Sequence, residues 1–362
     1  MKKPIIVIMT SKDESDGISK KLAEALERVG THNVAIVSDD KYGVVAKRSA
    51  LDRLMDNGSE YQYLLERKDK GVIMDRLRVR KYSKRVNRIK NMLKRFRPQY
   101  ILCLTPYAHH CAVEAKRKLK FDTQIIYMLQ TFTMPKRGLD DITNVYIVEN
   151  ADVKAELVRA GIRSKDVMTR GLPYEIQGRA GEESIADAKQ ELGLPRAKTV
   201  FVNIRDGQEL SKAFDLLLDQ GGIASLVVYC ENAKLRQALG SAAAQVPDVT
   251  VVFVQTAEKI DEYLSVCDLA ITSYDTAIIY KCFRLGIPSI VYSRDEHAAN
   301  DINYLVSHDL CLRAREDIEI VALEYKLLQT ELAESIGRNG QKWVELNTLD
   351  NIANFLASYI AV

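Results

Sequence analysis

The stretch Ile260–Val306, IDEYLSVCDLAITSYDTAIIYKCFRLGIPSIVYSRDEHAANDINYLV, leaves few folds open. Its apolar run 268–272 is short enough for a strand and ends in a polar turn, Ser273-Tyr274-Asp275-Thr276. The spacing then predicts a helix over 277–285, closed by Gly286 and Pro288, because glycine just past the last periodic residue and proline soon after end helices. A second strand follows over 289–292. Strand, helix and strand on short connections make a parallel unit. Two strand C-terminal loops then lie side by side, one of them feeding a helix N-terminus. Open α/β sheets bind phosphorylated ligands at such places.

The same alternation runs through the chain twice. Strands are predicted at 5–9, 33–37, 100–104, 125–129, 144–149 and 166–170, with helical segments between them. After a polar interval around Gly193 and Pro195, strands recur at 199–203, 225–230 and 249–254, separated by helices near 209–219 and 232–245. Helices near 318–338 and 350–362 close the sequence. The pattern predicts two doubly wound parallel α/β sheets.

Composition sets the class. Of 362 residues, 47% are hydrophobic and 28% charged, as in ordinary globular domains. No apolar run approaches the roughly 18 residues of a membrane span. The start, MKKPIIVIMTSKDESDG, reads as a first strand, since Ile5–Met9 is shorter than a signal sequence's apolar region. The six cysteines stand singly, without metal spacing, and read as reduced core residues of a cytoplasmic protein. Charge is uneven: residues 1–150 hold 30 Lys and Arg against 18 Asp and Glu, leaving 22 against 31 for the remainder. The excess peaks at Arg76–Arg97, with 11 cations in 22 residues, no acid, and Tyr82, Val86, Ile89, Leu93 and Phe96 at helical spacing. Nucleic-acid binding lacks an aromatic platform or motif here, and so many cations without one acid exceed a plain solvated face. Contact with an anionic membrane surface fits best, although the apolar stripe is equally able to pack on its own domain.

From Val249 to Val306 the sequence resembles the nucleotide-sugar half of GT-B glycosyltransferases. The resemblance is to the diacylglycerol glycosyltransferases (monogalactosyldiacylglycerol synthase and processive diacylglycerol glucosyltransferase) and to the lipid II-forming N-acetylglucosaminyltransferase. Four segments carry it: Cys267–Thr272, Tyr274–Lys281, Gly286-Ile287-Pro288 and Glu296–Leu305, with Tyr146–Pro173 resembling the strand, helix and strand before the hinge. It implies a GT-B fold: two doubly wound Rossmann-like domains facing across a cleft. The expected division is 1–173 with a returning C-terminal helix, 347–362; an interdomain linker, 174–196; and a nucleotide-sugar domain, 197–346.

Several positions depart from the family pattern. The glycine pair after the strand is Asp275 and Thr276, the glutamate that holds ribose hydroxyls falls on Lys281, and the glutamine that holds sugar hydroxyls falls on His297. Asn203-Ile204-Arg205-Asp206-Gly207 replaces a glycine-rich loop, Ile18 stands where the family has histidine, and Gln130-Thr131 stand where an aspartate is expected.

The donor is then expected on Asn203, Arg205, Gly207, Gln255, Thr256, Tyr274, Asp275, Thr276, Lys281, His297, Asn300 and Asp301. Lys281 is a natural phosphate partner or a solvated helix lysine, while Asp275 or Thr276 serves equally well as a helix N-cap. For the base that deprotonates an acceptor hydroxyl, Asp16 and His109 are the candidates, with Asp13, Glu14 and His110 beside them. The expected activity is metal-independent transfer from a UDP-sugar, with no cofactor, to a lipid or glycan acceptor, by a cytoplasmic protein peripheral to the membrane. A divergent, non-catalytic GT-B protein acting as a binding or partner subunit is the alternative, and a UDP-sugar epimerase a third.

Overall fold

A computed structural model describes residues 5–10, 17–30, 33–38, 87, 90–91, 93–119, 122–135, 139–176, 181–204, 211–220, 223–293 and 298–361. Asp13, Glu14, Asp16, Arg205, Gly207, His297 and most of Arg76–Arg97 lie outside them. The chain forms two compact units: Met1–Pro173 with Asn347–Val362, and Tyr174–Leu346.

The first unit holds β1 (Ile5–Thr10), α1 (Ile18–Arg28), β2 (Asn33–Ser38), β3 (Tyr100–Cys103), α2 (Pro106–Leu119), β4 (Gln124–Met128), β5 (Val145–Val148), α3 (Ala151–Arg159) and β6 (Val167–Thr169). All six strands are parallel, in the order β2-β1-β3-β4-β5-β6. β3 and β4 are inaccessible on both faces apart from their first residues, which explains their unbroken apolar sequences. The last helix of the chain, α12 (Thr348–Ala361), belongs to this unit. Arg28 on α1 reaches Asp350 at 2.9 Å, Tyr359 donates to Gln124 Oε1 at 2.6 Å, and the Arg170 guanidinium lies over the Phe355 ring.

The second unit contains α4 (Glu182–Glu191), β7 (Thr199–Ile204), α5 (Ser211–Gln220), β8 (Ser225–Cys230), α6 (Ala233–Ala243), β9 (Thr250–Val254), α7 (Ile260–Leu264), β10 (Leu269–Ser273), α8 (Thr276–Leu285), β11 (Ser289–Tyr292), α9 (Ala299–Ser307), β12 (Leu312–Ala314), α10 (Asp317–Gln329) and α11 (Leu332–Trp343). Its parallel order is β12-β11-β10-β7-β8-β9. Strand order therefore reverses between β7 and β10, the switch point at which doubly wound sheets open a crevice.

Residues 174–196, expected as a linker, are part of this unit. Ile176 and Leu194 join its core, and Lys189 of α4 is 5% exposed. Its ammonium donates to Asp268 Oδ2 at 2.8 Å and to the Ala197 carbonyl at 2.7 Å. Asp268 also accepts from the Thr199 amide, so one carboxylate fixes the start of β7 and the docked helix together. The polar composition that reads as linker belongs to an amphipathic helix.

α8 is the central helix. Asp275 caps it, accepting from the amides of Ala277 at 3.0 Å and Ile278 at 3.3 Å, and Gly286 ends it at φ 68°. Eight of its ten residues are buried, so it is apolar almost all round. α11 crosses it closely: a Cβ on Gly337 would stand 2.2 Å from the Gly286 carbonyl oxygen, and one on Gly340 2.9 Å from Phe283 Cα.

Candidate functional site

The C-terminal edge of the second sheet collects most of the expected donor-side residues. Asn203 lies opposite Thr272 in the β7–β10 register, at the switch point itself. The Thr272 hydroxyl donates its one proton to the Ser273 carbonyl at 2.6 Å, so it accepts from Asn203 Nδ2 at 2.9 Å. That direction fixes the amide, and Asn203 Oδ1 is left buried with no partner among the described residues. Ser273 Oγ returns a hydrogen bond to the Asn203 carbonyl at 3.2 Å. The two strand ends are thus clasped by polar groups where their neighbours are apolar.

One residue further on, Tyr274 donates from its phenol to Asp301 Oδ2, and Thr276 Oγ1 approaches the same phenol oxygen at 3.4 Å. Burial, then the Asp301 carboxylate, hold the Tyr274 phenol well above its ordinary value, so it stays a proton donor at any working pH. Asp301 is 6% exposed in the first turn of α9, and Asp275 is 6% exposed at the head of α8. Two helix N-termini at this edge therefore each carry one of the protein's own carboxylates, which complement their dipoles. Asn300 is exposed beside Asp301, and Gln255 and Thr256 are exposed where the chain leaves β9, the edge strand. Asp275 is the N-cap, so of its two sequence roles capping is realised. The other residues named are brought to one edge of one sheet.

Two expectations are corrected. Lys281 does not stand at this edge as a phosphate-facing or solvated lysine: its side chain is 3% exposed, and its ammonium lies 2.8 Å from Asp261 Oδ1 on α7. A buried ammonium needs a counter-charge, and α7 supplies it. His109 does not face solvent as a general base. It is 1% exposed within α2, its Nε2 is 2.7 Å from Thr143 Oγ1, and its ring stacks on Tyr127 at 4.1 Å between centroids. Burial, and secondarily His110, push its pKa down to about 3, so the imidazole is neutral and a poor base near neutrality. His110 is also held low by its burial, although Glu114 and Asp140 partly restore it.

The other residues expected to matter in the first unit divide in the same way. At its own switch point, between β1 and β3, Thr105 Oγ1 accepts from the Ala108 amide and Gln130 donates to the Leu104 carbonyl. Of the basic stretch, Lys94, Arg95 and Arg97 are exposed, while Leu93 is buried and Phe96 packs on the core. The described end of the apolar stripe is therefore committed to its own domain. No helix among the described residues is long and apolar enough to cross a membrane. Neither do the described residues gather a metal-binding group of three or more His, Cys, Asp or Glu.

Asp261 and Thr272 were not singled out from sequence. Thr272 stands in the sequence only as the last residue of the strand segment Cys267–Thr272. Lys281 gave a signal: a lysine within Ala-Ile-Ile-Tyr-Lys-Cys-Phe, flanked by apolar residues through a full helical turn, must be buried and paired.

No family model and no curated protein matches the chain. Its structure resembles many solved ones. MurG of Acinetobacter baumannii superposes with a TM-score of 0.64 at 11% identity, over 98% of this chain and 99% of that one. The S. aureus MnaA–UDP structure gives 0.67 at 13%, over 99% and 97%. UDP-GlcNAc 2-epimerase from Neisseria meningitidis bound to UDP-GlcNAc gives 0.59 at 12%, over 99% of both chains. Glycosyltransferases and epimerases both occur among the similar structures. With two six-stranded parallel sheets in these orders, the fold is GT-B.

Proposed function

We propose that the protein is a glycosyltransferase that binds a nucleotide-sugar, with UDP as the nucleotide, at the C-terminal edge of its second sheet, and passes the sugar to a lipid or glycan acceptor. The observation that carries this is the grouping of Asn203, Thr272, Tyr274, Thr276 and Asp301 at the β7–β10 switch point of a GT-B fold. Its support from outside is the UDP or UDP-sugar held by similar structures, HepE of Anabaena with UDP-glucose among them. The described wall offers hydrogen-bond acceptors, which suit sugar and ribose hydroxyls, while the Tyr274 phenol proton is taken by Asp301. In the reaction the acceptor oxygen bonds to the anomeric carbon, the bond from that carbon to the diphosphate oxygen breaks, and UDP leaves. The acceptor's proton goes to a base, for which Asp16 remains the expectation.

The test is direct. Thermal denaturation with millimolar UDP and several UDP-sugars should raise Tm, and UDP release should need an acceptor for full rate. No shift with any of them would count decisively against a nucleotide-sugar site. Two observations support other readings. The likeness to UDP-GlcNAc 2-epimerases supports epimerisation, which interconverts UDP-GlcNAc without any acceptor. The burial of His109 and Lys281 supports a non-catalytic binding or partner subunit, for which the ligand should bind without turnover. The exposed cations Lys94, Arg95 and Arg97 support contact with an anionic membrane surface through charge. That contact should be seen as co-sedimentation with phosphatidylglycerol vesicles that weakens with salt.

A further inference from the structure

The Lys281–Asp261 pair is asymmetric. The lysine side chain is 3% exposed and the aspartate 34%. Oδ1, the oxygen 2.8 Å from the ammonium, is itself buried, so the polar exposure of Asp261 falls on Oδ2. No hydrogen bond from a described residue reaches that carboxylate. The contact is a close ion pair, not an aligned hydrogen bond.

A buried ion pair is a weak device for stability, because apolar side chains of similar volume usually hold a core as well. What this one accomplishes is orientation. The ammonium holds one carboxylate oxygen from inside the core and leaves the other turned outward in a fixed direction. The place matters too. Asp261 is in the first turn of α7, six residues past Gln255 where the chain leaves β9, and Lys281 is on α8, which rises from the end of β10. Ile260 and Leu264 share a core cluster with Ile278 and Cys282, so α7 and α8 cover the same face of the sheet.

We propose that Asp261 is a recognition residue whose outward oxygen accepts hydrogen bonds from a pair of neighbouring hydroxyls on the nucleotide-sugar, and that Lys281 is its positioning residue. A carboxylate oxygen has lone pairs for two donors, and charge-assisted hydrogen bonds of this kind are the strong ones. The ribose diol and the hydroxyls of the transferred sugar present the same chemistry. The assignment rests on the nucleotide-sugar reading.

The experiment measures Kd for UDP, 2′,3′-dideoxy-UDP and UDP-GlcNAc by calorimetry in three proteins. These are the wild type; Asp261→Ala with Lys281→Met, which removes both charges of the pair; and Asp261→Glu, which keeps the pair and displaces the oxygen. If the ribose diol is the partner, wild type binds UDP at least about tenfold tighter than the dideoxy compound, and both variants bind the two alike. If the sugar is the partner, the extra affinity for UDP-GlcNAc over UDP is what both variants lose. Either result supports the assignment, and Tm near wild type for Asp261→Glu excludes a folding defect. Variants that keep the wild-type discrimination, or lose affinity equally for all three ligands, overturn it while the nucleotide-sugar reading stands. A wild type that binds none of the three overturns that reading, and this assignment with it.

Discussion

Glu324 makes stability depend on pH in a direction opposite to most carboxylates. It is 2% exposed on the inward stripe of α10, with Ile320, Val321 and Leu327, and no described residue hydrogen-bonds it. Burial pushes its carboxyl from 4.5 up to about 7. The folded value lies above the unfolded one, so the folded state holds a proton that the unfolded chain releases. Its contribution is complete below about pH 4.5 and is lost as pH rises through about 7. The gap between those values converts to at most about 3.4 kcal/mol. Solvent screening at the carboxyl edge reduces this to about 2 kcal/mol. Glu324→Gln keeps the shape and removes the charge. Urea titrations at pH 5, 7 and 8.5 should show the variant equal to wild type at pH 5 and more stable by about 2 kcal/mol at pH 8.5. Because the chain has two units, the midpoint should be followed by a probe in the second one, where Trp343 stands as the chain's single tryptophan. A difference between the two proteins that does not change with pH would refute the reasoning.

Three further outcomes follow from the packing. Gly337→Ala places a methyl 2.2 Å from the Gly286 carbonyl, backbone against backbone. The overpacking cost of about 1–3 kcal/mol should exceed the alanine's helix advantage of about 1 kcal/mol, so Tm should fall. Asp275→Ala removes the cap of α8 and should cost about 1 kcal/mol in denaturant titrations, with Asp275→Asn recovering most of it. His109 has its folded pKa held near 3, so its contribution is intact above about pH 6.5 and is lost as pH falls below that. His109→Gln should flatten the slope of stability between pH 6.5 and 4, and should leave the neutral limb of any activity–pH profile where it was.

The fold was open to sequence reasoning because its signals are local. The inner strands β7 and β8, for example, are short runs buried on both faces, so apolar continuity alone marks them. Gly286 and Pro288 mark the end of α8 without reference to anything distant. The interval 174–196 was not open in the same way. Its composition is polar, and its place in the second unit rests on Lys189 reaching Asp268, 79 residues away. A partner at that separation leaves no trace in the local pattern.

The site shows the same division at the scale of single residues. Cap and turn were legible because Asp275 and Tyr274 are neighbours in sequence, whereas the switch point was not, since Asn203 and Thr272 meet across 69 residues. The roles of His109 and Lys281 were not, because residue type says what a side chain can do and burial decides whether it does. A histidine with an ordinary pKa is a base in solvent. The same residue against Tyr127 and Thr143 is a neutral core ring. A lysine at the edge of a phosphate site is a ligand, but once buried it must bring a carboxylate with it. Lys281 brings Asp261, 20 residues earlier on another helix, and leaves one oxygen of that carboxylate facing outward. A charged residue on the buried face of an apolar helix is therefore a sequence signal with two parts. It states that a counter-charge exists, and it directs the search for a functional group to the partner, where the exposure lies.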